Sequence, residues 1–358
     1  MSLPELPGLL TADDLVLTAG TIAEWQLPNG MIPWFPGGHA DPWNHVEAAM
    51  AMAVAGHLDE AEAAYRWLVE NQHPSGAWHQ YYLADGIEDP KFDGNVTAYV
   101  ATGVWHHWLL TGDRGFLESM WSVVERAIDF VLDLQTPRGE ILWARHEDGT
   151  PWSFALLTGS ASICHSLRCA VAVAEEMGRE RPDWELSLGH LAHVVRTRPE
   201  GAFAPKDRWA MDWYYPVLSG AICGADARRH LAERRHEFVM DGRGVRCVSD
   251  KDWATAAETS ECAIAYQLAG EHQIAMDLLA TTTPMRRDDG RYLTGIVYPD
   301  LVTFPDNECS TYTAAAVVLA SDALSGSSPA SGIFVDHSTL PDVIDIEPLV
   351  HEADQSVQ

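Results

Sequence analysis

The stretch DPWNHVEAAMAMAVAG, residues 41–56, decides the fold. It opens with Asp41 followed by Pro42, an N-cap residue with proline at the first helical position. Alanines and other apolar residues then run to a glycine stop at Gly56. The same grammar recurs along the chain. Alanine-rich helical runs stop at Gly112, Gly178, Gly224 and Gly270, and a sixth run follows Cys309. The runs ending at Gly56, Gly112, Gly178 and Gly270 pass at once into a more polar helical pattern, and the one ending at Gly224 does so more weakly. In the first of these, residues 58–72, Leu58, Ala61, Tyr65, Leu68 and Val69 recur at helical spacing. Repetition at this length is the mark of tandem helical hairpins.

Counting outward gives six pairs. Inner helices are predicted from Pro42 to about Ala55 and over 96–111, 157–177, 213–223, 255–269 and 308–324. Outer helices are predicted over 58–72, 114–135, 182–196, 225–239 and 272–280. The last inner helix has no partner after it, and the N-terminal helix, 11–26, supplies one by closing a ring. The predicted fold is therefore all-α, an (α/α)6 barrel with long rim loops, as one domain over 1–325. The inner helices then point the same ends at one cavity. Loops this long inside a compact domain are usually functional. The pieces GAW at Gly76, GEILW at Gly139 and GRYLTG at Gly290 read as short extended segments at the rim. From Ser325 the chain reads SGSSPASG, then turns acidic, so 326–358 is predicted to be a poorly ordered tail.

Composition narrows the chemistry. Among 358 residues there are 52 acidic and 23 basic side chains, a net charge of −29, which repels nucleic acid and anionic lipid. A neutral or a cationic ligand suits this surface better than a phosphate-rich one. Fourteen tryptophans and ten tyrosines exceed the needs of a core, because the indole N–H wants a partner, and point to a cleft with aromatic walls. The six cysteines are scattered without a CxxC, the opening MSLPELPGLL lacks the pattern of a signal peptide, and no apolar run of about 18 residues occurs. A reducing, cytoplasmic compartment is the expectation, with no membrane partner. The oligomeric state is not legible.

Acidic residues gather where inner helices begin: Asp41 and Glu47, Asp93, Asp212, Glu258 and Glu261, Asp306 and Glu308. In a ring of hairpins these positions meet at one mouth. Two carboxyl groups there can cleave a glycosidic bond, one protonating the leaving oxygen while the other activates water or attacks. A pocket can push their pKa values apart to suit the two roles. Trp34, Trp43, Trp78, Trp152, Trp213, Tyr214 and Trp253 lie near the same starts, and aromatic faces stack on sugar rings. His39 and His45 are candidates to touch a ligand hydroxyl. Each acid also has a bland reading. Asp41 caps a helix, Thr255 to Glu258 matches a capping box, Asp93-Gly94-Asn95 is turn chemistry, and the others favour the helix dipole. No HExxH, paired cysteines, GxSxG, GxGxxG or Walker loop occurs, so no metal or cofactor is expected.

At these residues the chain resembles the (α/α)6-barrel glycoside hydrolases. DPWNHVEAAMAMAVAG, KFDGNVTAYVATGVW, WATAAETSECAIAYQLAG and FPDNECSTYTAAA resemble, more narrowly, the actinobacterial hydrolases of methylmannose polysaccharides. The resemblance covers most of 30–325. It implies an intracellular endo-acting hydrolase of α-1,4-linked, partly methylated mannose chains that inverts the anomeric carbon. It also implies two acidic catalytic residues, placed by the motifs on Asp41 and on Glu258 or Glu261. A rival comes from QHPSGAW, residues 72–78, and the looser QTPRGEILW, residues 135–143, which resemble the QxxxGxW repeats of terpene cyclases and prenyltransferases. Against it, no DxDD is present, and the Asp306–Cys309 spacing does not match a prenyltransferase zinc set. A non-catalytic sugar-binding barrel is the third reading.

Overall fold

The computed structural model describes residues 2–198 and 200–348. Helices α1 (Ala12–Trp25), α2 (Pro42–Val54) and α3 (Leu58–Asn71) come first. Strands β1 (His79–Leu83) and β2 (Gly86–Asp93) form a hairpin ahead of α4 (Gly94–Ala98), α5 (Val100–Thr111) and α6 (Arg114–Leu132). Strand β3 (Ala144–Arg145) joins that hairpin as a three-stranded sheet. Then come α7 (Leu157–Glu176), α8 (Pro182–Thr197), α9 (Met211–Leu218) and α10 (Gly224–Phe238). The last part holds β4 (Val239–Met240), β5 (Gly244–Arg246), β6 (Trp253–Thr255), α11 (Ala256–Leu268), α12 (His272–Ala280), β7 (Gly295–Val297), β8 (Val302–Thr303) and α13 (Thr311–Ser325). Strands β4 to β8 make an antiparallel five-stranded sheet in sequence order.

Helices α2, α5, α7, α9, α11 and α13 pack neighbour to neighbour, and α13 closes on α2. Behind them stand α3, α6, α8, α10, α12 and α1 in the same order. This is an (α/α)6 barrel. Residue character explains the two layers. Every residue of α2 from His45 to Val54 is buried, and its alanines let neighbouring backbones approach. Outer helix α6 buries one stripe, with Leu117, Met120, Val124, Ile128 and Val131 at helical spacing. Each such side chain contributes roughly 1.5–3 kcal/mol when removed from water.

Several predicted boundaries shift: the second inner helix, predicted over 96–111, is split into α4 and α5, and outer helix α6 stops at Leu132, not at 135. The fourth inner helix ends at Leu218, not at 223. Pro216 lies inside it and lacks an N–H to donate, and the chain turns at Gly220, where φ is 78°. The sixth begins at Thr311, not at 308, because Ser310 is its N-cap and accepts from the Thr313 amide at 3.3 Å.

The glutamine–glycine loops have a structural task. The Gln72 amide donates to the carbonyls of Gly76 (2.8 Å) and of Val123 on α6 (2.9 Å). Gln135 does the same to Gly139 and Ser187, and Gln26 to Gly30 and Glu60. Each loop thus ties one outer helix to the next. Gly76 has φ +96°, and a Cβ there would meet the Arg126 carbonyl at 2.2 Å, so only glycine allows the approach.

The tail reading is corrected for residues 326–348. Ser328, Ala330, Ile333 and Phe334 are buried at the C-terminal ends of the inner helices. Asp322 accepts from the Ser328 amide and hydroxyl, the His165 ring bonds the Ile333 carbonyl at 2.9 Å, and Arg168 donates to the Pro341 carbonyl at 3.2 Å. Further on, Asp345 pairs with His193 and Arg196 of α8. Apolar residues spaced among the glycines and serines supply burial that composition alone conceals. The rest of the predicted tail, 349–358, lies outside the described residues.

Candidate active site

The loops and sheets that enter the inner helices form one rim, and a cleft opens between them in two compartments. The first, of about 280 Å³, is lined by Asp41, Glu47, Glu258 and Glu261 together with Trp34, Trp43, Tyr81 and Tyr312. The second, of about 270 Å³, is lined by Asp93, Asn95, Trp143, Leu156, Trp209 and Asp212, among others. Trp43, Gln80, Val96 and Met211 belong to both and form the shared wall.

Asp41 caps α2 through a bond from the Asn44 amide at 3.0 Å. It does more than cap. Its Oδ2 accepts the Trp34 indole at 2.7 Å and the Asn44 side chain at 2.7 Å, and these fix its direction at the cleft. Burial raises its pKa, opposed by those three donors. Glu47, two turns along α2, takes the Trp43 indole at 2.9 Å and the Tyr99 hydroxyl at 3.0 Å on one oxygen.

From α11 come Glu258 and Glu261, three positions apart on one face, and both reach the first compartment. The capping-box reading of Glu258 does not hold. Thr255 makes no side-chain cap bond, and its hydroxyl has no partner among the described residues. Glu258 is instead half-buried at the cleft, with the Cys247 thiol placed against it. Glu261 sits deeper, accepting the hydroxyls of Tyr214 and Tyr215, the latter at 2.7 Å. Burial is the main cause that lifts both Glu47 and Glu261, and like-charge repulsion adds to the rise.

Asp93 caps α4, accepting from the amides of Asn95 (2.8 Å) and Val96 (3.1 Å), and burial pushes its pKa up to about 6. Asp212 accepts from the Thr158 amide and hydroxyl across the neighbouring helix. Both line the second compartment.

Other predicted residues lie elsewhere. Trp78 is fully buried and donates to the Leu68 carbonyl, and Trp213 is buried against Phe238. His45 is buried on the far side of α2, bonded to the Ile32 amide and the Ala64 carbonyl, with its pKa pushed down to about 4 by burial. These three belong to the packing between layers. His39 stacks on Tyr81 and pairs with Glu88 at 2.9 Å, one layer from the cleft wall. Trp152 packs behind Trp143. Trp253 donates to the Phe304 carbonyl on the rim sheet. Asp306 is exposed, and Glu308 accepts from Thr294 at 2.9 Å outside both compartments. Gln80, Tyr81, Tyr99, Trp143, Met211, Tyr215 and Tyr312 complete the site and were not singled out from sequence. The HQYY pattern of β1 and the second tyrosine of MDWYYP were the available signals. Among the described residues, no three His, Cys, Asp or Glu side chains converge as a metal set.

A barrel of this kind, with carboxyl groups converging in an aromatic cleft, is the frame of a glycoside hydrolase. The comparisons agree. No protein-family model matches the chain. It is 50% identical over 333 residues to the MMP endo-(1,4)-3-O-methyl-alpha-D-mannosidase of Mycolicibacterium hassiacum, covering 93% of this chain and 92% of that one. In structure it resembles a glycosidase solved in complex with glucose (TM-score 0.70, 13% identity, 88% and 98% coverage). It also resembles the GH63 mannosylglycerate hydrolase of Thermus thermophilus (TM-score 0.64, 11% identity, 86% and 99% coverage). Those two likenesses establish the fold, and the sequence identity establishes the family: the chain belongs to the endo-mannosidases represented by the M. hassiacum enzyme. It is a glycoside hydrolase.

Proposed function

We propose that the protein is an inverting, endo-acting hydrolase of α-1,4-linked mannose chains carrying 3-O-methyl groups, with Asp41 as general acid and Glu258 as general base. The observation that carries this reading is that Asp41 and Glu258, from α2 and α11, line one cavity on either side of α13. Burial raises the pKa of Asp41 and so favours its acid form against the three donors it accepts from, and the Trp34 and Asn44 bonds aim it. Glu258 is half-buried with the Cys247 thiol against it, and its place in the first compartment lets it orient a water. The proton of Asp41 goes to the glycosidic oxygen as the C–O bond breaks. Glu258 takes a proton from the water whose oxygen bonds to the anomeric carbon on the opposite face. Glu47 and Glu261, tethered by tyrosines and Trp43, form the floor, and burial raises the pKa of each. The aromatic walls stack on sugar rings, and the substrate is uncharged, which suits a protein of net charge −29. The substrate is taken from that of the M. hassiacum relative, which is 50% identical to this chain. The six free cysteines accord with a cytoplasmic setting.

The test is incubation with defined α- and β-linked mannose oligomers, methylated and plain, with product analysis, alongside Asp41→Asn and Glu258→Gln. Internal cleavage of the α-linked methylated oligomer, lost in both variants with binding retained, is expected. Binding without turnover in the unmodified protein would instead favour a sugar-binding barrel.

A further inference from the structure

The second compartment holds carboxylates and amides, with the Thr158 hydroxyl and the Lys206 amine beside them. Its carboxylates are already engaged: Asp93 by two backbone amides and the Trp143 indole, Asp212 by Thr158. Two buried amide oxygens are not, although the Gln80 side chain also bonds Tyr81. Asn95 Oδ1 and Gln80 Oε1 lack hydrogen-bond partners among the described residues, and both residues line the compartment. A buried acceptor left unpaired costs about 1–3 kcal/mol, so each calls for a donor from a ligand. The rest of the lining is largely apolar, with Trp143, Leu156 and Met211 prominent. A free hydroxyl against Leu156 and Met211 would lose its water and gain no partner there. A methoxy group has no proton to strand and gains by burial.

We infer that this compartment is a sugar subsite beside the scissile bond that reads 3-O-methylation. Asn95 and Gln80 accept the free hydroxyls of one ring, and Leu156 and Met211 receive its methyl group. The inference rests on the hydrolase reading above and adds to it where the methyl preference is set. The two compartments are nearly equal in volume and share a wall, as adjoining sugars of one chain require.

Two substitutions test it. Met211→Gln keeps side-chain length and puts an amide against the methyl position. Gly159→Leu fills the compartment from α7, where an added Cβ would meet only Asn95 Cβ at 3.7 Å and Leu156 Cβ at 3.8 Å, ordinary contacts, and its melting temperature checks that it folds. The readout is kcat/KM on α-1,4-mannose oligomers with and without 3-O-methyl groups. The ratio of methylated to plain should fall about tenfold or more in Met211→Gln, the scale of one apolar group in a pocket. Gly159→Leu should lose at least tenfold in kcat/KM on the methylated chain at unchanged melting temperature. An unmodified enzyme that cleaves neither oligomer would overturn the hydrolase reading itself. An active enzyme whose methyl preference survives Met211→Gln, or whose methylated-chain kcat/KM survives Gly159→Leu, would overturn this inference alone.

Discussion

The indole of Trp34 donates to Asp41 Oδ2 at 2.7 Å, and the same ring packs edge-on against Tyr312 at 4.9 Å. Trp34 therefore sets both the direction and the acidity of the proposed acid. A bond to the ionised form lowers a carboxyl pKa, here against the rise caused by burial. Trp34→Phe keeps the packing and removes the donor. The Asp41 pKa should then rise further. Activity that needs a protonated Asp41 is lost as pH climbs through that pKa, so the alkaline limb of the pH–kcat profile should move up, by on the order of one unit for a bond to a charged group. A limb that stays put, or moves down, would separate Trp34 from the acid.

The division of labour on α11 can be read from kinetics. Glu258→Gln removes the proposed base and should cut kcat by ~10²–10⁴-fold. Glu261→Gln keeps an acceptor for one of the Tyr214 and Tyr215 hydroxyls, turns an NH2 to the other, and removes an ionisable group from the floor. Its loss in kcat should be about tenfold or less. The reverse order would make Glu261 the base.

Asp93 offers a stability test. Its folded pKa, about 6, lies above the ordinary aspartate value of 3.8. A raised carboxyl favours the folded state fully below the unfolded pKa and loses that stability as pH rises through the folded one. Asp93→Asn can still cap α4 and does not ionise. The variant and the parent should melt alike near pH 3. By pH 8 the variant should gain on the parent by about 2–3 kcal/mol, the scale of roughly two pKa units. Melting curves across that range check it, and a parallel pair of pH profiles would contradict it.

Phe334 tests the corrected tail. It lies over His165, ring centroids 4.8 Å apart, and helps line a small cavity beneath Glu47 and Glu261. Phe334→Ala should cost about 3 kcal/mol, as large-to-small changes at buried aromatics do. Denaturant unfolding measures this. A cost below about 0.5 kcal/mol would mean that this segment contributes nothing to the folded barrel.

Sequence showed much of the frame and half of the site. Gly56, Gly112, Gly178 and Gly270 marked the hairpins because a left-handed helix end selects glycine almost alone. Asp41, Glu258 and Glu261 were readable because acidic residues at inner helix starts converge once the ring is drawn. Tryptophans misled, since both helix layers use them. Trp43 enters the cleft, whereas Trp78 and Trp213 fill the space between layers, and only tertiary packing separates the cases. Gln80, Tyr81 and Trp143 stayed hidden because the sheets that carry them are placed against the cleft by long-range pairing. Ile333 and Phe334 were masked by the glycines and serines around them.

The most direct measurement is proton NMR of the anomer first released from an α-1,4-linked 3-O-methylmannose oligomer. With Asp41 as acid and Glu258 directing water to the opposite face, the β-anomer should appear first and then mutarotate. First release of the α-anomer would mean a retained configuration and would contradict the account.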